Sequence, residues 1–221
     1  MKTSIDWRRE WPALIALLVT LGITFWLYPL LPDPMPTHWD AAGQVNGYSS
    51  RVFGAVILPV IALLIYVLLL LLPRIDPLRK SMQRNQQIYY ILRHVLVVFM
   101  AGLQSVMLVA VAFKYDFLVA LVTPMGVGVL FLLIGNYMPR MQPNWFMGIR
   151  TPWTLSNERV WRETHRVGGR MFMLGGVAML LAPFLPPNWI FVPFIAIIIL
   201  CTLGPILYSY WLFRMYGASS Q

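Results

Sequence analysis

Carboxylates are scarce in this chain. Only eight Asp and Glu residues occur in 221, and none falls in the middle of an apolar run, so a paired acid and base for catalysis inside a membrane is not expected. Cysteine occurs once, as Cys201, and histidine three times. One cysteine forms no intrachain disulfide and no cysteine metal site, which leaves Cys201 as a small buried side chain. No serine stands in a nucleophile motif and no histidine-rich metal signature is present. The expectation is a protein that is not an enzyme and that carries no metal or other cofactor.

What is abundant is apolar surface. Hydrophobic residues make up 59% of the chain and charged residues 11%, against about 25% charged in a soluble domain. A bilayer core of about 30 Å asks for roughly 20 apolar residues in helical form, because no backbone polar group can stay unpaired in lipid. Six runs qualify: Trp11 to Leu31, Val52 to Leu72, Ile91 to Phe113, Phe117 to Met138, Val167 to Leu185 and Trp189 to Phe213. The fifth is the weakest, since its strongly apolar part, Met171 to Leu185, is short. The first is too long for a signal-peptide core and reads as a retained anchor. The predicted fold is an all-α membrane protein, a six-transmembrane-helix bundle with an ordered outer loop and an amphipathic cytoplasmic segment. It divides into an opening two-helix unit over 1–75, with its outer loop at 32–51, and a four-helix unit over 76–221, with an inner motif at 136–170.

The net charge of +9 first suggests a nucleic-acid partner, but its placement speaks for topology. Six spans put both ends on one side, and all but Arg51 and Lys114 of the 17 Lys and Arg residues then fall on that side with them. By the positive-inside rule both termini are cytoplasmic, and Lys2, Arg74, Arg79, Lys80 and the arginines of the later inner loops are topogenic and lipid-facing. Membrane lipids are the expected partners and nucleic acid is not. Tryptophan and tyrosine near the span ends, Trp189 among them, form an interfacial belt.

In the outer loop, LPDPMPTHWDAAGQVNGYSSR, Pro32, Pro34 and Pro36 forbid a continued helix, and the pair Asn46-Gly47 signals a turn through positive φ. His38 and Asp40 stand two apart, so in an extended segment they point the same way. For His38 three readings stay open: a structural hydrogen bond, recognition of something outside the cell, or a metal ion shared with Asp40. The last is the least supported, because two ligands do not complete a site.

In the inner loop, WFMGIRTPW is followed by Ser156, which reads as a helix N-cap with Glu158 in the first turn. Glu158, Trp161, Arg162 and His165 then fall on one helix face, and Gly168-Gly169 follows as a break or a close-packing seam. The segment reads as an amphipathic helix at the lipid headgroups, or as a folded pocket in which Arg150, Arg162 and His165 bind an anionic group or a partner protein.

The outer loop, leading into an apolar span with Pro59, and GNYMPRMQPNWFMGIRTPWTLSNERVWRETHRVGGRMF together resemble the SdpI-type immunity proteins, with Asn46 and Arg51 where that pattern has an acidic residue and a lysine. The resemblance implies a polytopic protein of the bacterial cytoplasmic membrane that protects its own cell from a secreted, membrane-active toxin peptide, and that in some members holds a repressor at the membrane. It places His38, Trp39, Asp40, Gly43 and Asn46 toward the toxin. It assigns signalling or structure to Asn144, Gly148, Arg150, Thr151, Pro152, Trp153, Thr154, Trp161, Thr164 and His165, with Arg162 on the same helix. Two other readings compete. A small transporter or flippase for a peptide or lipid-like substrate is suggested by span glycines such as Gly126 and Gly128 and by Pro124, Pro183, Pro193 and Pro205, which would break helices. An enzyme acting on a phosphate-bearing lipid would use Arg150 and His165.

Overall fold

A computed structural model of the chain describes residues 7–40, 43–74 and 83–216, with the backbone alone at 74 and 187–193. Lys2, Arg79 and Lys80, and the side chains of Arg74, Trp189 and Pro193, lie outside the described residues. All six predicted spans are present as helices: α1 (Trp11–Leu27), α2 (Arg51–Leu71), α3 (Gln86–Phe113), α4 (Asp116–Tyr137), α6 (Glu158–Leu181) and α7 (Pro187–Tyr216), with a short α5 (Pro152–Ser156) between α4 and α6. Each of the six is long and apolar enough to cross a membrane. Between α1 and α2 the chain forms an antiparallel hairpin, β1 (Met35–Trp39) with β2 (Val45–Ser49). That hairpin marks one end of the bundle, and the arginine-rich loops mark the other, called here the basic end.

Three sequence expectations are corrected by the backbone. Asn46-Gly47 is not the turn; both residues lie in β2. The reversal runs through Asp40 to Gln44, where the Asp40 carboxylate accepts from the Gln44 N–H at 2.9 Å and Gly43 takes the positive φ of 77°. Gly47 is needed for a different reason, since a Cβ there would stand 2.9 Å from the His38 Cβ. Ser156 is not the cap of the long helix either. Thr151 and Thr154 form a capping box that starts α5, so Ser156 closes that helix, and Asn157 caps α6 by accepting from the N–H groups of Arg159 and Val160. Gly168-Gly169 is not a break either, although the fifth span remains the least apolar of the six. α6 runs unbroken from Glu158 through Gly168 and Gly169, so the amphipathic segment and the span are one helix.

Those glycines form a seam. A Cβ on Gly135 would lie 2.6 Å from the Gly169 carbonyl oxygen, and one on Gly128 would lie 2.8 Å from that of Gly176. Both pairs are two turns apart on their helices, so α4 and α6 meet backbone to backbone at two successive levels, the approach that small residues permit where no hydrophobic force pulls helices together.

Of the prolines named for the transport reading, Pro124, Pro193 and Pro205 lie inside unbroken helices, and Pro183 lies in the 3-10 turn that ends α6. Pro59 lies inside α2 and has no N–H to give to the Ala55 carbonyl; the buried Gln104 of α3 donates to that carbonyl at 2.9 Å instead. Pro73 likewise leaves the Leu69 carbonyl without its helical donor, and the Tyr89 hydroxyl of α3 donates to it. In lipid an unmet carbonyl costs several kcal/mol, so two α3 side chains complete the hydrogen bonding of α2.

Candidate functional site

At the hairpin end the strands sort the sequence-chosen residues into two sets. His38, Asp40, Asn46 and Tyr48 are exposed, and Trp39 and Gly43 are turned inward. Trp39 donates from Nε1 to the Asp116 carboxylate at 3.4 Å, and a Cβ on Gly43 would touch Ala120 at 2.9 Å. The hairpin is therefore docked on the first turns of α4 and is not a free loop. His38 and Asp40 both lie on the exposed side of the hairpin, as the two-residue spacing predicts. The His38 Nδ1 meets the Asn46 side-chain oxygen across the hairpin, and the strand pairing is irregular on either side of His38. No group of three or more His, Cys, Asp or Glu residues able to hold a metal exists among the described residues.

At the basic end the loop between α4 and α5 is folded by its own polar groups. The Asn144 side chain accepts from the N–H groups of Phe146 (2.9 Å) and Met147 (2.7 Å) and donates to the Gln142 carbonyl. Gln142 is also gripped by the buried Asn85 at the start of α3, through bonds of 3.0 Å and 2.9 Å that mimic a strand pair. Trp161 is fully buried and donates to the Met141 carbonyl at 2.8 Å. His165, also fully buried, accepts at Nε2 from the Ile149 N–H at 3.0 Å and uses Nδ1 toward the Trp161 carbonyl at 2.8 Å. An amide can only donate and a carbonyl can only accept, so these partners require the neutral Nδ1–H tautomer. Gly148 has φ 90°, and a Cβ there would fall 2.3 Å from His165 Nε2. Thr154 donates to the Ile149 carbonyl, and the Thr151 hydroxyl meets Ser209 of α7 at 3.1 Å. Trp153 packs on Tyr210. Pro152 opens α5 at the surface, and Thr164 is buried with no hydrogen-bond partner for its hydroxyl.

The pocket of Arg150, Arg162 and His165 is not formed. Arg150 is exposed and donates to the carbonyl of Trp145 in its own loop. Arg162 is exposed and faces Glu158 at 3.8 Å. The four residues read as one face span an arc of about 100°, and the edge of the bundle divides that arc: Trp161 and His165 lie under protein while Glu158 and Arg162 do not.

The sequence reading missed Glu10. At the N-terminus of α1 it is fully buried, bound by the buried Arg93 of α3, with the Tyr66 hydroxyl of α2 donating at 3.2 Å and His94 at 3.4 Å. Arg93 also lies over the Tyr90 ring at 4.9 Å. One acid beside the first span, set against one arginine two turns into the third, was the only sequence sign of this pair.

These features define a class, a multi-pass helical membrane protein with a docked hairpin at one end and a self-bonded loop joining three helices at the other. Within that class, residues 140–209, which hold every basic-end residue singled out above from Asn144 to His165, match the SdpI/YfhL protein family, and residues 15–63 match a domain of unknown function, DUF1648. The chain is 25% identical over 194 residues to Immunity protein SdpI of Bacillus subtilis (strain 168), covering 87% of this chain and 90% of that protein. The SdpI resemblance read from the two quoted stretches is thus borne out. No solved structure matches the chain.

Proposed function

We propose that this protein confers immunity to a secreted, membrane-active toxin peptide. The observation that carries the reading is the similarity to Immunity protein SdpI along 87% of the chain. In this reading the hairpin end faces outward, both termini are cytoplasmic, and the exposed side of the hairpin, with His38, Asp40, Asn46 and Tyr48, meets the toxin. The inward residues Trp39 and Gly43 hold that surface in place. The basic end then serves as the seat of any relay to a cytoplasmic regulator, since the Asn85 and Gln142 clamp joins its loop to α3, which also reaches the hairpin end.

The test is survival of toxin-sensitive bacteria expressing the chain. Wild type is expected to raise survival. His38→Ala with Tyr48→Ala is expected to abolish that gain at normal membrane abundance, while Trp39→Ala lowers abundance itself. Unchanged survival with abundant wild-type protein across a panel of membrane-active peptides sinks the reading. Orientation is checked separately, on a Cys201→Ser background: Tyr48→Cys is expected to react with an impermeant maleimide in intact cells and Arg162→Cys only after permeabilisation.

A further inference from the structure

α6 presents one continuous outer face, and its chemistry changes abruptly along the helix. Before residue 171 every exposed residue is charged: Glu158, Arg159, Arg162, Arg166 and Arg170. Beyond it every exposed residue is apolar: Met173, Leu174, Val177 and Leu181. All of them fall within an arc of about 160°, so the two halves lie end to end on one side of the helix. The boundary between polar surroundings and lipid is therefore marked on α6 itself, beside Arg170.

Arg170 is also the unmatched cation of this stripe. Arg159 lies over the Tyr216 ring at 3.9 Å, Arg162 faces Glu158 at 3.8 Å and Arg166 is paired with Glu163 at 2.6 Å. Arg170 meets no acid, acceptor or ring among the described residues. A helical side chain leans toward the N-terminus of its helix, which for α6 is the basic end, so the Arg170 guanidinium is carried toward Arg166 and away from Met173.

An unpaired cation at the head of an apolar strip fits a ligand that is an anion at one end and hydrocarbon at the other. Free phosphate answers the cation alone, and an acidic protein surface has nothing to lay along Val177 and Leu181. Residues 170 to 181 cover about 16 Å of helix, close to half of a bilayer core and so the reach of one acyl chain. A zwitterionic head would turn its own cation toward a stripe where four arginines outnumber the acids Glu158 and Glu163. We propose that this face binds one anionic phospholipid, its phosphate held by Arg170 with Arg166 beside it, and one acyl chain along Met173, Val177 and Leu181. The site is independent of the immunity reading.

The experiment uses the full chain in phosphatidylcholine nanodiscs holding a trace of a photoactivatable probe, either phosphatidylglycerol or phosphatidylcholine with a diazirine midway along one acyl chain. The peptide containing Met173 to Leu181 is expected to be labelled about five-fold more by the anionic probe, the size of one favourable charge at a membrane surface. Peptides of α1 with the exposed Leu18 and Phe25 are expected to show no preference. Arg170→Gln is expected to erase the preference at an unchanged melting temperature, because its side chain holds no other part of the fold. Arg159→Gln, which removes the same charge from the same stripe, is expected to keep it. Equal labelling by the two probes overturns the proposal. So does a preference lost equally in both variants, which would mean diffuse attraction to the basic end. Displacement of the anionic probe by millimolar inorganic phosphate overturns it as well, since the site would then take a free anion.

Discussion

Gly148 stands where the basic-end loop passes over His165, and two independent constraints meet at it. Its φ of 90° strains any residue with a side chain, and the space a Cβ needs is taken by the imidazole nitrogen that holds Ile149. Gly148→Ala is expected to cost about 2–5 kcal/mol, from backbone strain of about 1–2 kcal/mol and an Ile149 N–H left unmet at about 1–3 kcal/mol. Thermal unfolding of the purified protein checks it. An unchanged melting temperature would mean that the loop is free to move off His165. In the sequence Gly148 stood out through the family resemblance, and the residue it approaches, 17 positions on, emerged only from the fold.

Between elements, the prolines and glycines carry the argument. If Gln104 exists to complete α2 around Pro59, the two residues are energetically coupled. Gln104→Leu is expected to destabilise wild type, by about 0.6–2 kcal/mol for one interhelical bond in a membrane, and to cost less in a Pro59→Ala background, where the helix supplies its own donor. A double-mutant cycle on unfolding free energy measures this, and strict additivity would dissociate the pair. The glycine seam makes an opposite pair of predictions. Gly135→Ala places its Cβ 2.6 Å from a backbone oxygen, which cannot swing aside, so α4 and α6 must separate at a cost of about 1–3 kcal/mol. Gly102 has open space around its missing Cβ, and Gly102→Ala is expected to be neutral or stabilising by up to about 1 kcal/mol. Comparable losses at both positions would show that helix approach is not what Gly135 provides.

For the molecule as a whole, the Glu10 and Arg93 pair joins α1 to α3 and, through Tyr66, to α2. Removing one partner of a buried ion pair leaves an uncompensated charge, typically at 3–5 kcal/mol. Glu10→Gln is therefore expected to lower the membrane abundance and melting temperature of the entire bundle, with Glu10→Gln/Arg93→Met recovering much of the loss. No recovery in the double variant would show that the pair matters for something other than charge balance. Six spans and the excess of basic residues at one end were legible in the chain, because bilayer thickness acts on local composition and needs no tertiary contact. The tertiary structure alone decided that Trp161 and His165 face protein while Glu158 and Arg162 do not, that the hairpin rests on α4, and that Glu10 finds Arg93. Each of these depends on which helix lies beside which, and a periodicity read along one segment carries no information about its neighbour.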